Sequence, residues 1–507
     1  MLRLPSCPPF HVAVAALLLA SAAGAEQPPP AALGQAAASP TDPRPPREPV
    51  VTRHSGTFNG QRIRYRAIVS ETPVADAEGR PGARIVSTAY VAENVAEASR
   101  RPIVFLFNGG PIVASVYLHM GAFGPQRLRF PDDLSADISA LELVDNPDTI
   151  LDVADLVFFD PAGTGFSRVE AGVDPASYFS VVADGQQTTA FIRAWLREHG
   201  RSASPVYLFG ESYGTLRAAQ SARQLIEGPE AVNLDGIVLF GQALNIIEFS
   251  QRPGNIISYV VSMPTLSALA WHHGRVDRAG RTLDQFLNES REFARTEYLG
   301  ALYDGDQLPL VERDRIAARL EALTGLPKAY YLANNLRISK EAYRRELLRE
   351  QGLILGRNDG RYVGPPSDQQ GGGDPSNVIS SAAQRVWPQY LRDRLGVSWD
   401  DEYIFASVPA SGLEGWRWGA TSPFSDWPYM TLVREVMEQV SDFRVLVGVG
   451  IFDTSTTPGA SEYALAQSGW PRDRAALAYY GGGHMAYSDE ESFQKLMRDM
   501  RAFVRPR

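Results

Sequence analysis

Along this chain, short runs of consecutive apolar residues alternate with longer stretches in which apolar positions recur every three or four residues. The runs in "PIVFLFNGGP" (102–111), "ADLVFFDPAGTGFS" (154–167), "PVYLFG" (205–210), "LDGIVLFGQAL" (234–244), "FRVLVGVGIFD" (443–453) and "AALAYYGGGH" (475–484) read as buried strands, several closed by glycine-rich turns. "SGTFNGQRIRYRAIVSET" (55–72) is strand-like, with "NGQ" marking a hairpin turn. Helical periodicity fills the intervals. In "VVADGQQTTAFIRAWLREHG" (181–200), Phe191, Ile192, Trp195 and Leu196 share one face and Gly200 supplies a stop. A second amphipathic segment follows Ser212. A last helix carries Phe493, Leu496, Met497, Met500 and Phe503 on one stripe, with Ser488 and Glu491 expected to form its capping box. Strand, helix, strand in this rhythm predicts an α/β fold: a mostly parallel, doubly wound sheet with helices on both faces.

Between about 250 and 390 the rhythm changes. Segments such as "ERDRIAARLEALTGL" and "SKEAYRRELLREQG" are helical and charged, and "SDQQGGGDPSN" reads as a flexible loop. Residues 251–390 are therefore expected to be a helical cap inserted into a catalytic domain made of 50–250 and 391–507. Ahead of it, 26–49 is rich in Pro and Ala and reads as a flexible leader. Residues 1–25 read as a signal peptide: Arg3 before the apolar "VAVAALLLA", which is too short to span a bilayer, then small residues at 23–25. The expectation is a secreted or periplasmic protein, free of the membrane once the signal is cleaved.

Composition narrows the function. The chain has 507 residues, 44% hydrophobic and 21% charged, with a net charge of −9. That balance suits a globular protein and argues against a general nucleic-acid binder, which needs a basic face. The single cysteine, Cys7, lies ahead of the apolar signal run, so the mature chain is expected to have neither disulfides nor thiolate chemistry.

"GESYG" places Ser212 between Gly210 and Gly214, after a predicted strand and before a predicted helix. That is the setting of a nucleophile on a strained turn, where side chains two residues before or after would collide. A serine needs a base, and the base an orienting acid, in the chain order Ser, Asp or Glu, His. Of the seven histidines only His272, His273 and His484 follow Ser212. His272 and His273 fall in the helical insertion, as helix-end residues without a third metal ligand. His484 sits on a glycine-rich loop after a strand and is expected to be the base. Asp453, at the end of the preceding strand, is expected to orient it, and Asp473 to be solvated. The backbone N–H of Tyr213, at a helix N-terminus, offers one oxyanion donor, and the "NGGP" loop is placed to supply another. "DPAGTGFS" lacks the lysine of a phosphate loop and reads as a packing turn.

Together, in this order, "NGGP", "DPAGTGFS", "GESYG", "GIFD" and "GGGHM" resemble the serine carboxypeptidases (peptidase family S10), bacterial type, over roughly residues 50–507. The resemblance implies an α/β-hydrolase fold with a helical cap and the triad Ser212, Asp453 and His484. It also implies oxyanion donors at the amides of Gly110 and Tyr213, and Asn108 and Glu211 binding the free carboxylate of a peptide's C-terminal residue. A glutamic acid donates to a carboxylate only when protonated, so such cleavage favours acidic pH. No cofactor and no metal is implied. This chain departs from the family at Ile112 and Val113, where the family continues with Gly-Cys-Ser, and at Ala122, where an acidic residue is common. These departures leave the triad untouched and weaken the case for exopeptidase specificity. An esterase or acyltransferase on the same scaffold therefore stands as the alternative, and a catalytically dead binding protein as a third reading.

Overall fold

The structure, a computed structural model, describes residues 47–504 except 77–78, 137–140, 367–372, 408, 410–411 and 420–423. The expected signal peptide and nearly all of the expected leader lie outside the described residues. Nine strands make the path of a ten-stranded sheet: β1 Val50–Phe58, β2 Gln61–Ala75, β3 Pro81–Ala92, β4 Ile103–Phe107, β5 Asp155–Phe159, β6 Val206–Glu211, β7 Leu234–Phe240, β8 Arg444–Gly450 and β9 Ala475–Tyr480. Their order is β1-β2-β3-β5-β4-β6-β7-β8-β9, with the short strand Arg168–Val169 paired to β3 off this path. β1, β2, β3 and β5 pair antiparallel, and every pairing from β5 to β9 is parallel. The β1–β2 hairpin closes at Asn59 and Gly60, both at positive φ (47° and 77°), the conformation whose twist matches the flanking strands.

The longer helices include α1 Val181–Glu198, α2 Gly214–Leu225, α3 Met263–His272, α4 Leu283–Phe293, α5 Leu310–Thr324, α6 Asn377–Asp393, α7 Tyr429–Gln439, α8 Pro458–Gln467 and α9 Glu490–Val504. The two faces of β4 separate as a period of two requires. Ile103, Phe105 and Phe107 pack with Phe191, Ile192, Trp195 and Leu196 of α1, Leu216 of α2 and Val433 of α7. Val104 and Leu106 face the opposite core, shared with Trp387 and Tyr390 of α6 and with Phe493, Leu496, Met497, Met500 and Phe503 of α9. Each such fully buried side chain contributes on the order of 2 kcal/mol.

The inserted helices have a core of their own, built from residues such as Leu266, Leu269, Phe286, Leu320, Tyr331 and Tyr343, with Phe452 reaching into it from the loop after β8. This core ends with Leu355. The helix α6 carries residues that the sequence assigns to the cap, yet its apolar face belongs to the sheet core, so the expected limit at 390 falls inside a helix of the main body. Among the described residues no helix is long and apolar enough to cross a membrane.

The start of α9 also differs from expectation. The cap is Asp489, whose Oδ1 accepts the Ser492 amide at 2.9 Å, and not Ser488, whose hydroxyl is buried without a partner among the described residues. An aspartate cap one residue later brings a charge that suits the helix N-terminus and also meets Arg361 at 3.3 Å. Burial raises the Asp489 carboxyl, but the Ser492 hydrogen bonds and Arg361 outweigh it and hold it below its ordinary range. We expect Asp489→Ala to destabilise the fold by about 1 kcal/mol at neutral pH in urea unfolding. A depressed carboxyl stabilises above its unfolded pKa, so this difference should shrink as the pH falls below about 4.

Candidate active site

β6 ends at Glu211 and α2 begins at Gly214, leaving a two-residue elbow. Ser212 sits there at φ +59°. For a residue with a Cβ that conformation costs about 1–2 kcal/mol, and its neighbours must enforce it. They do so through the backbone. The Ser212 amide donates to Phe240 O of β7 at 2.8 Å, and its carbonyl accepts from the Thr215 amide at 2.9 Å and hydroxyl at 2.7 Å. The bend is so tight that a Cβ on Gly210 would run into the Gly214 carbonyl. Ser212 is half-buried, and its Oγ has no hydrogen-bond partner among the described residues.

The loops after β8 and β9 bring the acid and the histidine together. His484 Nδ1 donates to Asp453 Oδ2 at 2.7 Å. Asp453 is fully buried. Its Oδ1 accepts the amides of Ser455 (2.7 Å) and Thr456 (3.0 Å), and its Oδ2 also accepts the Thr456 hydroxyl (2.6 Å). With Nδ1 committed in this way, Nε2 is left as the imidazole's working nitrogen. Burial pulls the imidazole down, but Asp453, by charge and hydrogen bond, and then Glu211 more than reverse this against Lys340, so its net shift is upward. The structure forms the acid–histidine contact, while the serine–histidine hydrogen bond is open.

The "NGGP" loop lies against the elbow. A Cβ on Gly109 would fall 2.6 Å from the Tyr213 amide nitrogen and 2.9 Å from Ser212 Cβ, so only glycine lets the loop approach this closely. Neither the Gly110 nor the Tyr213 amide donates to an acceptor among the described residues, which leaves both open to an oxyanion. Two buried clamps hold the loop. Arg217 of α2 donates to the Asn108 and Pro111 carbonyls, each at 2.8 Å, and pairs with Asp184 of α1 at 2.8 Å. Asp160 accepts the Ser115 amide at 2.8 Å, the Ser115 hydroxyl at 2.9 Å and the Tyr403 hydroxyl at 3.0 Å, which makes "DPAGTGFS" the packing turn expected of it.

Asn108 and Glu211 meet directly. Asn108 Nδ2 donates to Glu211 Oε1 at 2.7 Å, while Asn108 Oδ1 accepts the Leu118 amide at 3.1 Å, which fixes the orientation of the side-chain amide. Glu211 is 4% exposed, so it is no surface turn residue. Its Oε2 and the hydroxyl of nearby Tyr487 are both buried without a completed hydrogen bond among the described residues. Burial pushes the Glu211 carboxyl up, and the charge of His484 with the polar groups of Tyr487 and Asn108 offsets only part of this.

The remaining candidates fall elsewhere. Asp473 is exposed, as expected. His272 ends α3, and His273 Nε2 contacts Gly360 O at 2.8 Å. The sequence reading missed Arg217, Asp184 and Thr456. An arginine in an amphipathic helix is ordinarily a surface residue, and the one signal available was its place on the helix directly behind Ser212.

The sequence profile of the serine carboxypeptidases matches residues 89–293, the stretch holding "NGGP", "DPAGTGFS" and the Ser212 elbow. Over that stretch the chain matches the serine carboxypeptidase family. Asp453 and His484 lie beyond the matched residues. No curated protein matches the chain by sequence. Among solved structures, the chain is similar to Kex1(delta)p, a prohormone-processing carboxypeptidase from Saccharomyces cerevisiae. The TM-score is 0.54 at 14% identity, covering 86% of this chain and 91% of that one. Two esterases also match: a thermostable carboxyl esterase from Bacillus coagulans (TM-score 0.37, 13% identity, 86% and 97% covered) and LipA from Xanthomonas oryzae (0.34, 12%, 89% and 96%). The likeness to the yeast carboxypeptidase shows the shared fold, an α/β hydrolase, and the family match over residues 89–293 supports a serine carboxypeptidase-type hydrolase.

Proposed function

We propose that this protein is an exported serine carboxypeptidase that removes the C-terminal residue of peptides through an acyl-enzyme on Ser212. The observation that carries the reading is the Asn108–Glu211 pair, buried directly beside the nucleophile, with the glutamic carboxyl pushed toward its protonated form. A generic esterase has no need of a neutral carboxylic acid there. His484 takes the Ser212 proton and returns it to the leaving amine, Asp453 holds the imidazole, and the Gly110 and Tyr213 amides receive the oxyanion. Asn108 and protonated Glu211 donate to the substrate's terminal carboxylate, placing the last peptide bond over Ser212. Export rests on the character of residues 1–25.

Glu211 and His484 share one proton in the productive state: Glu211 must hold it and His484 must be free of it. A carboxylate arriving at Glu211 favours that arrangement, because an ionised Glu211 would repel it. The substrate thus helps to free its own base, and the two groups titrate as a coupled pair. The test offers blocked dipeptides with free or amidated C-termini, and simple esters, across pH. We expect the preference for a free over an amidated C-terminus to fall about tenfold per pH unit once the pH exceeds the raised Glu211 pKa, while ester cleavage keeps no such dependence. Glu211→Gln, which donates at any pH, should flatten the fall. Ester cleavage without any release of a terminal amino acid would favour the esterase reading.

A further inference from the structure

A short strap at the end of the insertion, residues 356–361, makes polar contacts with both the acid loop and the histidine loop. The His484 amide donates to Asn358 O at 2.5 Å, and the Gly483 amide to Asp359 Oδ2 at 3.0 Å. On the acid loop, the Thr454 hydroxyl donates to Arg357 O at 2.6 Å, the Gly360 amide to Phe452 O at 3.1 Å, and the Ser455 hydroxyl to Asn358 Oδ1 at 3.4 Å. Lys340, also from the insertion, donates to Ser455 O at 3.0 Å. One six-residue segment therefore bridges the loops that carry the acid and the base.

Asp359 is the centre of the strap. It is 1% exposed. Its Oδ1 accepts the Arg361 amide at 3.0 Å, its Oδ2 takes the Arg361 guanidinium at 2.7 Å, and Arg361 reaches on to Asp489 at the cap of α9. The carboxylate is thus held from behind while it accepts the amide next to His484. From the sheet domain, Ser492 of α9 accepts the Gly481 amide at 2.7 Å, three residues before His484; among the described residues the Gly483 amide, next to His484, is held by Asp359.

We infer that Asp359 is a positioning residue for His484, and that the cap strap, rather than the sheet alone, sets the register of base against acid and nucleophile. The inference rests on the proposed role of His484. It assigns the insertion a part in turnover itself, separate from any part in choosing substrates.

The test uses the full chain with Asp359→Ala and Asp359→Asn. Active sites are counted by titration with a serine-reactive fluorophosphonate, and hydrogen exchange of segment 481–485 is followed by mass spectrometry. A misplacement of 1 Å costs on the order of 100-fold, so we expect Asp359→Ala to lower kcat per titrated site by about 10-fold or more, for ester and peptide alike, with KM within about twofold. Exchange of 481–485 should quicken in parallel. Asp359→Asn, whose amide oxygen still accepts from Gly483, should recover most of the rate. Unchanged kcat per site in Asp359→Ala, or no recovery in Asp359→Asn, overturns the inference. If Asp359→Ala does not fold, wild-type exchange decides: rapid exchange at 481–485 overturns it, and slow exchange that quickens in Asp359→Asn without loss of kcat does too. Failure of the proposed function looks different, as wild-type enzyme that turns over neither substrate or turnover that survives Ser212→Ala, and the exchange readout still judges the strap.

Discussion

Ser212→Ala should abolish turnover of every substrate, lowering kcat by about a million-fold while the fold is unaffected. Both halves follow from the elbow. The hydroxyl is the only group there that can form the acyl bond, and water reacting in its place would have only the oxyanion donors and bound geometry to help it. Stability should hold because Ser212 Oγ has no protein partner to lose among the described residues, and alanine bears the same positive φ that serine already bears. We expect urea unfolding to agree with wild type within about 0.5 kcal/mol. The variant should still bind a peptide with a free C-terminus, measured by calorimetry at acidic pH, because Asn108 and Glu211 are untouched. Turnover by the variant above the level of contaminating enzyme would remove Ser212 from the chemistry.

Arg217→Met should produce the largest loss of stability of any single change at the site. The guanidinium is fully buried and pairs with an equally buried Asp184, and its two remaining arms hold the Asn108 and Pro111 carbonyls. Removing one partner of such a pair costs about 3–5 kcal/mol, since the carboxylate left behind has no water to turn to. Burial already pushes the Asp184 carboxyl up against the pull of Arg217, and without Arg217 it rises further. A carboxyl raised in the folded state stabilises below its unfolded pKa and ceases to as the pH climbs toward its folded value. The deficit should therefore be greatest at neutral pH and smaller near pH 4, which urea unfolding at the two pH values can read. The folded fraction should also lose kcat, because the Gly110 amide is no longer held over the elbow. A neutral-pH deficit below about 1 kcal/mol would mean the pair contributes no more than an exposed ion pair does.

The strands and the Ser212 elbow were legible in the sequence for a common reason: each is a local pattern. Apolar runs such as 103–107 need no partner to be recognised as buried, and "GESYG" carries its own strain relief. His484 emerged by elimination, which works in a chain with few histidines. What stayed hidden depends on contacts between distant segments. Arg217 looks like any polar residue of an amphipathic helix until Asp184 is brought opposite it. Asp359 sits in "GRNDGR", whose composition says loop and nothing more, and its partner is a backbone amide at Gly483. The boundary at 390 failed because α6 has the charged, helical character of the cap while its apolar stripe was made for the sheet. At α9, Ser488 with Glu491 matched the capping-box pattern, yet Asp489 caps the helix and also reaches Arg361, a distant contact the local pattern does not show.

The order in which the site's parts occur along the chain has a consequence for when the enzyme can work. A ribosome releases the "NGGP" loop at 108 first, then Ser212, then the strap at 359, and only after these Asp453 and His484, the acid and base of the proposed triad. Until residues 444–484 emerge, Ser212 lacks its proposed base and β7 lacks β8, its neighbour in the sheet. With the proposed triad, a chain cut short before residue 484 would be an inactive product, because its serine would have no base.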